Sequence, residues 1–177
     1  GWVHSARAEG CDPTGKAIVQ LGAGGAGTAI LVQAALDGAK SIAVFNMRDA
    51  FWPRVEALVQ RLNQETDCCV TLHELTDTDT LQKELQKAQI LLNTTPVGMK
   101  NHPGCLIPSA DWLHPGLTVS DVIYEPRETE LLRMARAAGL QAFNGLHMLL
   151  YQGAESFRLW TGCEMPVEQI RAEYFAE

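Results

Sequence analysis

Short apolar segments alternate with helix-period segments along all 177 residues, which predicts an α/β fold on a doubly wound, parallel six-stranded sheet with C-terminal helices. Two further observations support this. The first apolar run, Ala17 to Leu21, passes straight into a glycine cluster, Gly22-x-Gly24-x-x-Gly27, and then into a helical stretch. Farther on, Val55, Leu58, Val59 and Leu62 recur at i, i+3, i+4 and i+7, the apolar face of one helix.

The elements follow in order. Residues 2–10 form a short helix ending at Gly10, and Asp12-Pro13-Thr14-Gly15 is a turn. Strand 1 spans 17–21, and a helix runs from about Gly25 to Asp37, stopped by Gly38. Strand 2 spans 41–45, and the next helix opens near Pro53, a favoured first-turn residue. Strand 3 spans 69–72, a helix 80–88, strand 4 89–92 and strand 5 117–120. Residues 104–115, with Pro103 just before them, make a surface excursion. A helix over 129–138 ends at Gly139, strand 6 spans 141–143, a long helix runs over 146–160, and Pro166 starts the last helix.

Composition narrows the function. The length suits one α/β domain with a full core. A net charge of −7, with no two basic residues adjacent, argues against a nucleic-acid surface and against attraction to anionic membranes. No apolar run approaches the ~20 residues of a transmembrane helix, and no signal-peptide pattern is present. The five cysteines lack C-x-x-C or Cys/His ligand spacing, so a reduced, cytoplasmic compartment is expected and no metal site. Gly1, not Met, opens a segment that already reads as helix, so the natural chain is expected to begin earlier.

The glycine cluster points to dinucleotide binding. Gly22 permits a sharp turn, Gly24 lets backbone approach a pyrophosphate, and Gly27 permits close helix–strand packing, with free N–H groups at the helix start facing the anion. The same pattern occurs in methyltransferases and in plain turns, so it needs company. At the end of strand 2, Asn46-Met47-Arg48-Asp49 stands where such folds read the adenosine ribose. Asp49 either accepts from the ribose hydroxyls, disfavouring a 2′-phosphate, or caps the next helix; Arg48 either stacks or pairs with a ligand, or is solvated. Asn93-Thr94-Thr95-Pro96-Val97-Gly98-Met99 follows strand 4, beside strand 1 at the switch point, and lines the cleft or is a polar turn. Asp121-Val122-Ile123-Tyr124 follows strand 5: Asp121 reads as an N-cap-like structural acid, and Tyr124 offers a phenol to a substrate. Gly145, Met148 and Gln152 share one helix face; Met148 fills core or lines the pocket, and Gln152 is solvated or meets a ligand. His147 has no acidic partner nearby in sequence and reads as structural or cleft-lining, not as a general base.

Taken together, Gly-Ala-Gly-Gly-Ala at 22–26, Asn-x-Arg-Asp at 46–49, Asn-Thr-Thr-x-x-Gly-Met at 93–99, Asp-Val-x-Tyr-x-Pro at 121–126, Gly-x-x-Met-Leu-x-x-Gln-Gly-Ala at 145–154 and Trp-Thr-Gly at 160–162 resemble the shikimate dehydrogenase family, most of all its quinate/shikimate branch. The resemblance covers essentially the whole chain, in order. It implies a Rossmann-type NAD(P)-binding domain over 1–144 and C-terminal helices over 145–177 that pack toward a substrate domain absent from this sequence. The implied cofactor contacts are Gly22, Ala23, Gly24, Gly25, Ala26, Asn46, Met47, Arg48, Asp49, Thr94, Thr95, Pro96, Val122, Ile123, Tyr124, Gly145 and Met148, and the implied substrate contacts are Gln152 and Tyr124.

The implied reaction is hydride transfer between NAD(P) and the CH–OH carbon of shikimate or quinate, the activity of a shikimate/quinate 3-dehydrogenase. Two departures from the family pattern bear on this. Met47 replaces the arginine that usually meets a 2′-phosphate, so NAD is expected, with NADP weaker. His147 replaces a usual glycine. The family's catalytic Lys–Asp pair belongs to the missing domain, so no catalytic residue is expected here and this chain alone is expected to be inactive. Two alternatives remain: a non-catalytic nucleotide-binding module, and a different enzyme on the same loop. Quinate and shikimate are not distinguished, and a homodimer is left open.

Overall fold

The computed structural model describes residues 1–175. Its centre is one parallel six-stranded sheet in the order β3-β2-β1-β4-β5-β6, with β1 at Ala17–Leu21, β2 at Ser41–Asn46, β3 at Cys69–Glu74, β4 at Ile90–Asn93, β5 at Thr118–Asp121 and β6 at Ala142–Phe143. The order reverses between β1 and β4, which pair directly from Ile18↔Ile90 to Leu21↔Asn93. Strand ends therefore part at this point, and the loops after β1 and β4 face each other across a crevice.

Strand side chains alternate between two cores, as the pleat requires. Ile18, Ile42, Val44, Ile90 and Leu92 pack on one face. Val19, Leu21, Ala43, Phe45 and Leu91 pack on the other. Because both faces are covered, the central strands read as continuous apolar runs. The first face is covered by α1 (Trp2–Ala8), α2 (Gly25–Leu36) and α3 (Trp52–Glu65), and the second by α4 (Thr78–Leu85) and α5 (Glu130–Ala137).

Helix ends follow local chemistry. Asp77 caps α4 by accepting from Thr80 N–H, so this helix starts two residues before the expected Thr80. Thr129 caps α5 in the same way through Leu132 N–H. Pro53 lies in the first turn of α3, as expected, but the cap position is Phe51. A 3₁₀ turn, Ala110–Trp112, lies within the proline-containing excursion, with the Ser109 side chain accepting from Asp111 N–H at its start.

The long helix α6 (Leu146–Thr161) and the last helix α7 (Val167–Tyr174) complete the fold. α1 docks on α6 and on the sheet: Trp2 Nε1–H donates to Ser120 Oγ at 3.0 Å, His147 Nδ1 meets Glu9 Oε1 at 2.7 Å, and Gln141 donates to the Glu9 carbonyl.

Candidate functional site

The crevice is built first by its glycines. Gly22 has φ +91, a left-handed backbone that side chains rarely adopt. A Cβ on Gly27 would stand 2.5 Å from Thr94 Oγ1 and 2.9 Å from the Gly22 carbonyl, so α2 can approach β1 only without one. Gly24 and Gly25 differ: a Cβ there would meet nothing within 4 Å. Gly24 is also the cap residue of α2, in extended backbone and without a side-chain cap. The start of α2 thus has open space beside Gly24 and Gly25 and no side-chain cap for its first-turn N–H groups, an arrangement that favours an anion.

Buried polar groups hold this loop. Gln20, inside β1, donates to the carbonyls of Gly22 and Gly27 at 2.9 and 3.0 Å. Thr94 Oγ1–H is shared between the Leu21 and Gly22 carbonyls at 2.8 and 2.9 Å. Asn46, at the end of β2, accepts from Ala23 N–H at 3.0 Å and donates to the Met47 carbonyl. Asn46 and Thr94 therefore commit their side chains to the protein and shape the crevice from behind.

Beyond β2 the surface opens. Met47 and Phe51 are exposed apolar side chains. Asp49 accepts from Phe51 N–H at 2.9 Å, an Asx turn ahead of α3 rather than its cap, and leaves its second carboxylate oxygen without a recorded partner. Arg48 is not merely solvated. Its Nη1 lies 2.5 Å from Glu74 Oε1 and its guanidinium carbon 5.3 Å from the centre of the Trp52 ring.

The opposite wall is closed. Asp121 is fully buried at the end of β5. Its carboxylate accepts from Asn93 Nδ2, Ile123 N–H and Thr129 Oγ1 at 3.1, 3.0 and 2.9 Å. Burial pushes its pKa up, and these hydrogen bonds oppose the shift. Asp121 is thus a structural acid, as expected, but it acts by holding the α5 cap Thr129 rather than by capping a helix itself. Asn93 Oδ1 in turn accepts from Thr95 N–H and Oγ1–H, fixing the turn that carries Pro96. Val122 is partly buried and Ile123 buried, whereas Tyr124 stands out at the rim, 46 % exposed.

Gly145 joins β6 to α6 beside this wall. Its N–H donates to the Ile123 carbonyl at 3.0 Å, and a Cβ on it would overlap the Val122 carbonyl oxygen at 1.9 Å. This contact draws the start of α6 to the rim. Met148 and Gln152 then share a helix face, since a Cβ on Gly1 would touch Met148 Cγ and Gln152 Cβ at 3.6 and 3.7 Å. His147 is buried and does have an acidic partner, Glu9, which is 138 residues away in sequence. Among the described residues no His/Cys/Asp/Glu group could hold a metal ion, and all five cysteines are free thiols. No described helix is long and apolar enough to cross a membrane.

The sequence reading missed Gln20, Glu9, Trp52 and Glu74. Gln20 was signalled by a polar residue inside an otherwise apolar strand. Glu74 follows from the strand order, because β3 ends beside β2 with Asn46 opposite Glu74.

Residues 145–173 match the family model described as the shikimate 5′-dehydrogenase C-terminal domain. A shikimate dehydrogenase (NADP(+)) from Listeria monocytogenes serotype 4b is 46 % identical over 176 residues, which is 99 % of this chain and 60 % of that protein. The chain is similar to the C-terminal part of shikimate dehydrogenases. A quinate/shikimate dehydrogenase from Escherichia coli O139:H28 is 44 % identical over 97 % of this chain and 60 % of its own length. Shikimate 5-dehydrogenase from Listeria monocytogenes, solved in complex with shikimate and NAD, superposes with a TM-score of 0.92 at 45 % identity, covering 97 % of this chain and 60 % of that one. The chain thus spans about 60 % of the length of these shikimate dehydrogenase relatives.

Proposed function

We propose that the crevice binds NAD and that the chain supplies the cofactor-binding part of an NAD(P)-dependent dehydrogenase acting on shikimate or quinate. The observation that carries the reading is the contrast within one glycine loop. Gly22 and Gly27 are closed in by neighbours, whereas Gly24 and Gly25 leave an open cradle at an uncapped helix start. A pyrophosphate fits that cradle. When bound, the nicotinamide accepts or gives the hydride at its C4.

The remaining tasks fall to named residues. Asn46 fixes the Ala23 backbone, and Asp49 accepts from the ribose hydroxyls while repelling a 2′-phosphate. Met47 and Phe51 offer apolar surface to the adenine side. Thr95, Pro96, Val122 and Ile123 line the nicotinamide side, and Gly145 lets Met148 reach it. Tyr124 and Gln152 meet the substrate. The exposed face of α6 and its end, with Leu149, Phe157, Leu159 and Trp160, turns toward the part of the relatives that this chain does not span.

Calorimetry tests the cofactor assignment. NAD is expected to bind tighter than NADP by about fivefold, the effect of one nearby negative charge on a phosphate. Equal or tighter NADP binding, or binding of S-adenosylmethionine alone, overturns it. The 177-residue chain by itself is expected to turn over neither acid, because none of the residues assigned to the crevice above is a general base. Robust NADH formation from quinate or shikimate would refute that.

A further inference from the structure

We propose that Glu74 sets the cofactor preference by holding Arg48 away from the site where a 2′-phosphate would lie; this rests on the reading that the crevice binds a dinucleotide. Arg48 is the one cation in the segment between β2 and α3. A free guanidinium beside an adenosine ribose is a strong phosphate ligand, because its planar fork matches phosphate oxygens two at a time. Its presence next to Asp49 therefore leaves the discrimination undecided until something fixes its direction.

The fold supplies that restraint from two sides. The register of β2 and β3 puts Asn46 opposite Glu74, and Leu75 N–H donates to the Asn46 carbonyl at 2.9 Å. The end of β3 is thereby tied to the residue that also anchors the glycine loop. From this fixed point Glu74 Oε1 takes Arg48 Nη1 at 2.5 Å. The Trp52 ring, from the first turn of α3, lies 5.3 Å from the guanidinium carbon and fixes the plane of the fork.

The local charge follows. Arg48 is neutralised by Glu74, which leaves the Asp49 charge uncompensated at the ribose. Without Glu74 the loop is neutral overall, and Arg48 is free to meet a phosphate. Arg48 and Glu74 side chains are 66 % and 42 % exposed. An ion pair this exposed contributes little to the fold, so removing it leaves the protein standing and exposes its effect on the ligand.

The test is NAD and NADP affinity of the full chain by calorimetry at low salt, with thermal unfolding as a check on folding. Glu74→Ala is expected to raise NADP affinity relative to NAD by about three- to fivefold, the upper range of what an exposed ion pair withholds. Glu74→Asp, which keeps a carboxylate for Arg48, should restore most of the original ratio. In an Arg48→Gln background the Glu74→Ala shift should shrink to less than about twofold, because Glu74 acts through Arg48. NAD binding with an unchanged ratio in Glu74→Ala overturns the proposal. So does an equal shift with and without Arg48, which would mean direct repulsion. A wild-type chain that binds neither dinucleotide removes the earlier reading and this one with it.

Discussion

Gly24 and Gly145 stand on the same rim of the sheet, one on each wall of the crevice. Around Gly24 a Cβ would meet nothing within 4 Å, whereas on Gly145 it would fall 1.9 Å from the Val122 carbonyl oxygen. The contrast extends to their surroundings. The wall of Gly24 carries exposed Met47, Phe51 and Asp49 and an uncapped helix start. The wall of Gly145 carries a network of Asn93, Asp121 and Thr129 whose hydrogen bonds all stay within the protein. The first wall keeps its bonding capacity for a ligand. The second uses its capacity internally and serves as the reference surface against which the first is set. One residue type thus marks a site by the space it leaves and a scaffold by the contact it permits.

Substituting these two glycines separates the walls. Gly145→Ala should have the largest effect, because the new carbon overlaps backbone that cannot swing aside. A loss on the order of 3–5 kcal/mol is expected in chemical denaturation. Near-wild-type stability would mean that the two backbones are not in contact. Gly24→Val should leave stability close to normal, since φ −71 and ψ −163 suit a β-branched residue. NAD affinity should nevertheless fall about 100-fold, close to 3 kcal/mol. Normal NAD binding in a folded Gly24→Val protein would reduce the loop to a plain turn.

Smaller changes sharpen the same division. Asp49→Ala should cost the NAD-over-NADP preference about fivefold, near 1 kcal/mol, without moving the melting temperature. An unchanged ratio would show that Asp49 serves only its Asx turn. The smallest effect concerns pH. The Asp121 pKa is raised in the folded protein, so the native state binds the proton more readily than the unfolded one. Stability from this group therefore falls as pH rises from the unfolded carboxyl value of 3.8 through the higher native value. Relative to Asp121→Asn, wild-type stability should decline across that window. A relative rise would mean that the hydrogen bonds outweigh burial.

The sequence made much of this legible. Five-residue apolar runs next to helix-period segments were enough for the doubly wound sheet and for placing strand 4 beside strand 1, because a glycine loop after the first strand marks where the sheet reverses. Gly22 and Gly27 were readable for the same reason: their spacing has one geometric meaning between a strand and a helix. Motif order across 22–162 was enough for the family, and the comparisons agree with it. What stayed hidden depends on pairs far apart in the chain. Glu9 meets His147 across 138 residues, and Glu74 meets Arg48 across 26, and no local period signals either. Of the two roles the sequence left open for Asp49, capping α3 is not the one the structure shows: Asp49 satisfies a turn ahead of the helix, and sequence spacing alone does not separate an Asx turn from a helix cap.

The docking of α1 sets an order on chain synthesis. A seven-residue helix does not persist alone in water, and its anchors are Ser120 and His147. At roughly 5–20 residues per second, the ribosome needs on the order of ten seconds to make the stretch between them. Throughout that interval Trp2, Val3 and Ala6, which end up in the core, can meet α2 but not α6. α1 is thus among the last pieces to settle, and its apolar face gains its full set of partners only once β5 and the start of α6 have formed.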